Sequence, residues 1–268
     1  MSDSNTPLAL YPGGEAQYTF RMFVTYDQQI YCTTGDPRVV ECVFNKVDIA
    51  DRFDPMWQLR IRLGPVRSTE DIDEIGNMLK DDIFDRLSIT LNMKIDRIRM
   101  TGHPLPMPGG ASANLILPMM TISARGRTGC RELLADDALA LQEVFTKSTP
   151  LLNHALVALY RSALATDDPV AKFLILYLIL YEISVNQNNI DKLILTYAPL
   201  TIKTPSPKPS KDGKPQLEET IYTRLRNEMA HRIKAKPEEI RAEIILNLDA
   251  FQRIVYLALR SPDLGNKN

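Results

Sequence analysis

Histidine, cysteine and tryptophan are all scarce in this 268-residue chain, and neither sign of charge prevails: 3 His, 3 Cys, 1 Trp and a net charge of −1. The cysteines, Cys32, Cys42 and Cys130, form no C-x-x-C pair and are odd in number. That excludes a disulfide framework, denies zinc its usual ligand spacing, and fits reduced thiols in a cytosol. With Lys plus Arg at 32 and Asp plus Glu at 33, bulk charge makes no case for nucleic acid, so any such case rests on local patches. The longest apolar run, Phe173 to Tyr181, is nine residues, whereas a membrane helix needs about 20. It belongs in a protein core. Met1 to Thr6 holds no basic region followed by an apolar stretch, so no secretion signal is read and a cytoplasmic protein is expected.

What is present is a normal complement of core residues, with 44% hydrophobic and 24% charged. Two characters follow one another along the chain. Tyr18 to Val24 and Trp57 to Leu63 alternate like half-buried strands, and Met93 to Met100 and Leu115 to Ser123 also read as strands. Ser68 caps a helix whose Ile72, Ile75, Leu79, Ile83, Leu87 and Leu91 form one apolar stripe. Residues 1–131 are therefore expected to be an α+β unit, an antiparallel sheet with one long helix packed on it.

From residue 132 to 268 the pattern predicts an all-α bundle. Helices are expected over Leu133 to Lys147, Leu151 to Ala165, Val170 to Val185 (apolar on nearly all sides, hence central), around Ile190 to Tyr197, over Leu217 to Lys236, and after Pro237. Thr201 to Gln216, rich in proline, reads as a mobile loop.

Chemistry concentrates in the segment from Thr220 to His231. Asn227 and His231 are four apart and share a helix face. Arg226 precedes His231 by five, about 140° round the helix. Arg, Asn and His together suit RNA scission by attack of a ribose 2′-hydroxyl on its neighbouring phosphate. Histidine titrates near neutrality and can move the proton. Arginine holds charge and grips phosphate with two N–H groups. Such a site needs no metal or other cofactor. His103 and His154 lack ligand-spaced companions.

Two further features bear on this site. Glu182 is the single charge between Phe173 and Ile190. A buried carboxylate there would need a cationic partner, for which Arg226 is the candidate, unless Glu182 reaches water at the helix end. Lys203 to Lys236 holds nine Lys or Arg against four Asp or Glu. Lys203, Lys208, Lys211 and Lys214 stud the expected loop and could gather phosphate charge, with Arg224 nearby. Tyr222, four before Arg226, would wall the site or sit in the core.

Arg226-Asn227-x-x-x-His231, on the penultimate long helix of an all-α region, resembles the signature of the HEPN superfamily. Glu219 to His231, with Asp168 to Phe173 and Tyr181-Glu182, looks most like its ApeA-like branch. The likeness spans roughly residues 148–260. It implies a bundle that forms a homodimer, with Arg226 and His231 of both copies meeting at the dimer axis and Asn227 and Glu182 in support. It implies a metal-independent endoribonuclease of anti-phage defence or toxin systems, with RNA as substrate and a regulatory or antitoxin protein on another chain. The alternative is a non-catalytic HEPN module that binds nucleotide or protein.

Overall fold

The computed structural model describes residues 11–25, 29–47, 56–102, 105–106, 112–113, 131–132, 135–146, 154–184, 186–205, 218–231 and 236–261. The chain divides into two compact units, Met1–Pro150 and Leu151–Asn268.

In the first unit, strands β1 (Gly14–Met22), β3 (Ile30–Tyr31), β4 (Val39–Val47), β5 (Met56–Leu63) and β6 (Ile95–Gly102) form one antiparallel sheet in the order β3-β4-β5-β1-β6. The alternation read in β1 and β5 is real. Tyr18 pairs with Leu59 and Phe20 with Trp57, so their side chains share one face, and all four are buried. Helix α1 (Thr69–Leu91) lies on that face. Ser68 accepts the N–H of Asp71 at its start, and the six stripe residues read from the sequence are all buried. Short ribbons pair β2 (Val24–Thr25) with β9 (Arg131–Glu132), and β7 (Leu105–Pro106) with β8 (Ser112–Ala113). The strand expected over Leu115 to Ser123 falls outside the described residues.

Two differences from the sequence reading have clear causes. Strand β4 was not anticipated, because Cys42, Val43 and Phe44 are consecutively apolar and blur the period of two; all three are buried. Helix α2 (Ala135–Thr146), assigned to the bundle by the expected boundary at residue 131, packs in the first unit instead. Its Leu141 and Phe145 join the core under the sheet, where the Phe145 ring meets Phe44 edge-on at 6.0 Å. The Phe145 carbonyl also accepts from the Thr33 N–H at 3.1 Å.

The second unit is built from α3 (His154–Ala165), α4 (Pro169–Ser184), α5 (Gln187–Tyr197), α6 (Ile221–His231) and α7 (Pro237–Leu259). Asp168 accepts from the N–H groups of Ala171 (2.8 Å) and Val170 (3.0 Å) at the start of α4. Phe251 of α7 is the hub of the core. It stacks on Tyr222 of α6 at 4.5 Å and meets Phe173 of α4 at 5.0 Å. Helix α4 is not enclosed on all sides: Leu174, Leu178 and Tyr181, spaced four and three apart, are 41 to 46% exposed. The segment expected to be loop then helix is framed differently. Strand β10 (Lys203–Pro205) pairs antiparallel with β11 (Glu218–Thr220), and α6 begins only at Ile221. Among the described residues no single helix is long and apolar enough to cross a membrane.

The placement of α2 is directly testable through Trp57, the only tryptophan, whose ring meets Phe44 at 6.0 Å. Phe145→Ala should destabilise the transition followed by Trp57 fluorescence by about 3–5 kcal/mol, the usual cost of a buried Phe-to-Ala truncation. An unchanged Trp57 transition would place α2 with the helical unit after all.

Candidate active site

Helix α6 is apolar on one side and polar on another, yet both sides are buried. Ile221, Tyr222 and Leu225 enter the core, while Glu219, Thr220, Thr223 and Asn227 are buried polar residues. Thr220, the last residue of β11, and Thr223 and Asn227 of α6 are spaced three and four apart, so they line one side of the helix and its entry. Buried polar atoms need partners, and here two carboxylates from different elements supply them.

The first is Asp191 of α5. Its Oδ1 accepts the Thr220 N–H at 3.1 Å, the Thr220 hydroxyl at 2.7 Å and the Thr223 hydroxyl at 2.7 Å. Each threonine hydroxyl has one proton, and these short contacts assign both to Asp191. The Tyr177 hydroxyl of α4 therefore donates to Thr223 Oγ1, at 3.2 Å. Burial pushes the Tyr177 pKa up. Thr220 Oγ1 also accepts from the Thr223 N–H at 3.4 Å, which satisfies a free donor in the first turn of α6. A carboxylate at this end also suits the helix dipole.

The second is Glu219, on β11 immediately before α6 and only 3% exposed. Its Oε2 accepts Asn227 Nδ2 at 3.0 Å and Gln187 Nε2 at 3.3 Å. Asn227 Oδ1 in turn accepts a guanidinium N–H of Arg226 at 3.1 Å. The guanidinium carbon stands 5.9 Å from the Tyr177 ring centroid, a weak cation–π contact. Arg226 is half-buried, and Asn227 takes one of its five N–H donors among the described residues.

The expected residues divide accordingly. Arg226 and Asn227 are in direct contact. His231 is the last residue of α6, and its position continues the stripe of Thr220, Thr223 and Asn227 by a further four residues; its side chain is outside the described ones. Glu182 is corrected. It is exposed near the end of α4, beside the exposed Tyr181, so it reaches water and forms no pair with Arg226. The buried carboxylate is Glu219, hidden in the polar run Glu218-Glu219-Thr220 where burial was not suspected. Asp191 and Tyr177 were likewise missed. A searchable signal existed: the polar stripe at 220, 223 and 227 amid apolar neighbours.

The residues proposed to touch RNA fare unevenly. Tyr222 is buried against Phe251 and is a core side chain. Arg224 is ion-paired with Glu243 of α7. Lys203 is exposed, but β10 sets it opposite Thr220, at the start of α6, about 16 Å of helix rise from His231. Lys208, Lys211 and Lys214 lie outside the described residues. Among the described residues no group of three His, Cys, Asp or Glu stands where it could hold a metal ion.

Residues 156–260 match the model of a family described as methylamine utilization protein MauJ. MauJ-like proteins are related to the HEPN superfamily. The MauJ match takes in most of α3 and all of α4 to α7, and with them Arg226, Asn227 and His231; it leaves the sheet unit unmatched. No curated protein and no solved structure matches the chain.

Asp191→Ala should cost the second unit about 3 kcal/mol in thermal or urea unfolding, since charged hydrogen bonds are lost and polar partners stay buried. The raised Tyr177 pKa has its own signature. Its contribution is complete below the ordinary tyrosine pKa near ~10 and is lost as pH rises through the folded value. Tyr177→Phe should reduce the alkaline fall in stability without abolishing it, because burial also raises the pKa of Tyr160 and Tyr222. An unaltered alkaline profile would contradict the assignment.

Proposed function

We propose that the second unit is a metal-independent endoribonuclease of the HEPN type, nearest in character to the ApeA-like branch and working as an effector in anti-phage defence or a toxin system. The observation that carries this reading is the contact between Arg226 and Asn227 on the helix that ends in His231, within a region matching a HEPN-related family. In this reading Arg226 stabilises charge on the phosphorane oxygens and His231 transfers the proton as the 2′-hydroxyl attacks. The products are a 2′,3′-cyclic phosphate and a 5′-hydroxyl.

The reading also calls for two copies of the chain. An exposed apolar stripe of Leu174, Leu178 and Tyr181 on α4 supports it, since such a stripe at helical spacing suits helix-to-helix association. The sheet unit would then regulate the site or guide RNA to it. A second reading, a non-catalytic binding module, draws support from the inward contacts of Arg226 with Asn227 and Tyr177.

The two readings separate on Arg226→Ala and His231→Ala. In excess EDTA, the wild type should cut single-stranded RNA to 5′-hydroxyl products. Both variants should lose at least about 100-fold of that rate with a melting temperature close to wild type, the signature of lost transition-state stabilisation. Failure of the wild type to cut any of several RNAs, with Arg226→Ala chiefly lowering the melting temperature, would favour the binding module.

A further inference from the structure

We infer that Glu219 is the positioning residue of this site, holding Arg226 in place through the side-chain amide of Asn227; its catalytic consequence rests on the nuclease reading, its geometry does not. The argument is one of donors and acceptors. An ionised carboxylate only accepts hydrogen bonds. With Glu219 Oε2 at 3.0 Å, the Asn227 amide must turn its NH2 toward the carboxylate. The Asn227 carbonyl oxygen is then directed to Arg226, whose guanidinium can only donate. The reverse orientation would set oxygen against oxygen and NH2 against guanidinium, two repulsions in place of two attractions. One negative charge thus fixes the orientation of one amide, and the amide fixes one guanidinium N–H.

The relay is anchored at its far end. Gln187, the first residue of α5, donates to the same Oε2 at 3.3 Å. Glu219 itself is fixed in β11, paired to Thr204 across the ribbon. The Tyr177 ring approaches the guanidinium from α4. Arg226 is therefore held by groups on α4, β11 and its own helix, with Glu219 3% exposed. Burial lowers the local dielectric and strengthens the charged bond. A reacting group displaced by about 1 Å can lose on the order of 100-fold in rate, so a relay of this kind acts on catalysis without touching substrate.

The experiment uses the full chain in two arms. The first reads the 1H–15N signals of the Arg226 guanidinium, assigned by their disappearance in Arg226→Lys. Glu219→Gln keeps the size but removes the charge, and should speed guanidinium rotation and proton exchange at Arg226. Glu219→Asp keeps the charge but shortens the reach, should do the same, and serves if Glu219→Gln does not fold. Unchanged Arg226 signals in a folded variant overturn the proposal, whether or not the protein cuts RNA. The second arm measures cleavage. Glu219→Gln should lower kcat about 10- to 100-fold with KM little changed, and should add nothing further in an Asn227→Ala background. Loosened Arg226 signals in the Glu219 variants, together with a wild type that cuts no RNA, would uphold the relay and remove the nuclease reading instead.

Discussion

Everything at the candidate site depends on two carboxylates that hold the start of α6. Asp191 gathers the backbone and hydroxyl of Thr220 and the hydroxyl of Thr223. Glu219 gathers Asn227 and Gln187. Charges taken out of water are costly unless several donors meet them; Glu219 is buried and Asp191 partly so, and each meets two or more. The same bonds that settle that cost fix the rotation of α6 about its axis. That rotation decides which side chains enter the Phe251 core and which, Arg226 foremost, are left half-open. Stability and site geometry are therefore one problem at this helix, and substitutions that loosen its start should register at Arg226.

The unmatched sheet unit obeys simpler rules. Its core is an aromatic and aliphatic layer between one sheet face and α1, with Gly76 marking one close approach. A Cβ there would stand 2.7 Å from the Tyr18 hydroxyl and 2.8 Å from the Ala16 Cβ, both on β1. Glycine, poor for helix formation, is required at that contact.

Much of this architecture was legible in the amino acids, and the exceptions share a cause. The α1 stripe, the strands β1, β5 and β6 and the helical second half all follow from periodicity, which reports the shape of one element. It does not report which core that element joins. Leu141 and Phe145 make α2 amphipathic, but only the structure sets them beneath the sheet. Nor does periodicity give the rotation of a helix that is apolar all round. Glu182 looked buried because its neighbours are apolar, yet it lies beside exposed Tyr181, while Glu219, in a polar run, is enclosed. Arg226, Asn227 and His231 could be chosen from residue chemistry and spacing. Their supports, Glu219, Asp191 and Tyr177, could not, since they come from α4, α5 and β11 and meet only on folding.

In the proposed nuclease, this network presents Arg226 to a groove completed by a second copy of the chain. Subunit mixing tests it most directly. Arg226→Ala and His231→Ala proteins, each inactive alone, would be co-expressed under two tags and the doubly tagged species assayed on RNA. A shared groove predicts recovered cleavage in that species, because one copy still supplies the arginine and the other the histidine. An inactive mixed dimer beside an active wild type, or the absence of any doubly tagged species, would contradict the account.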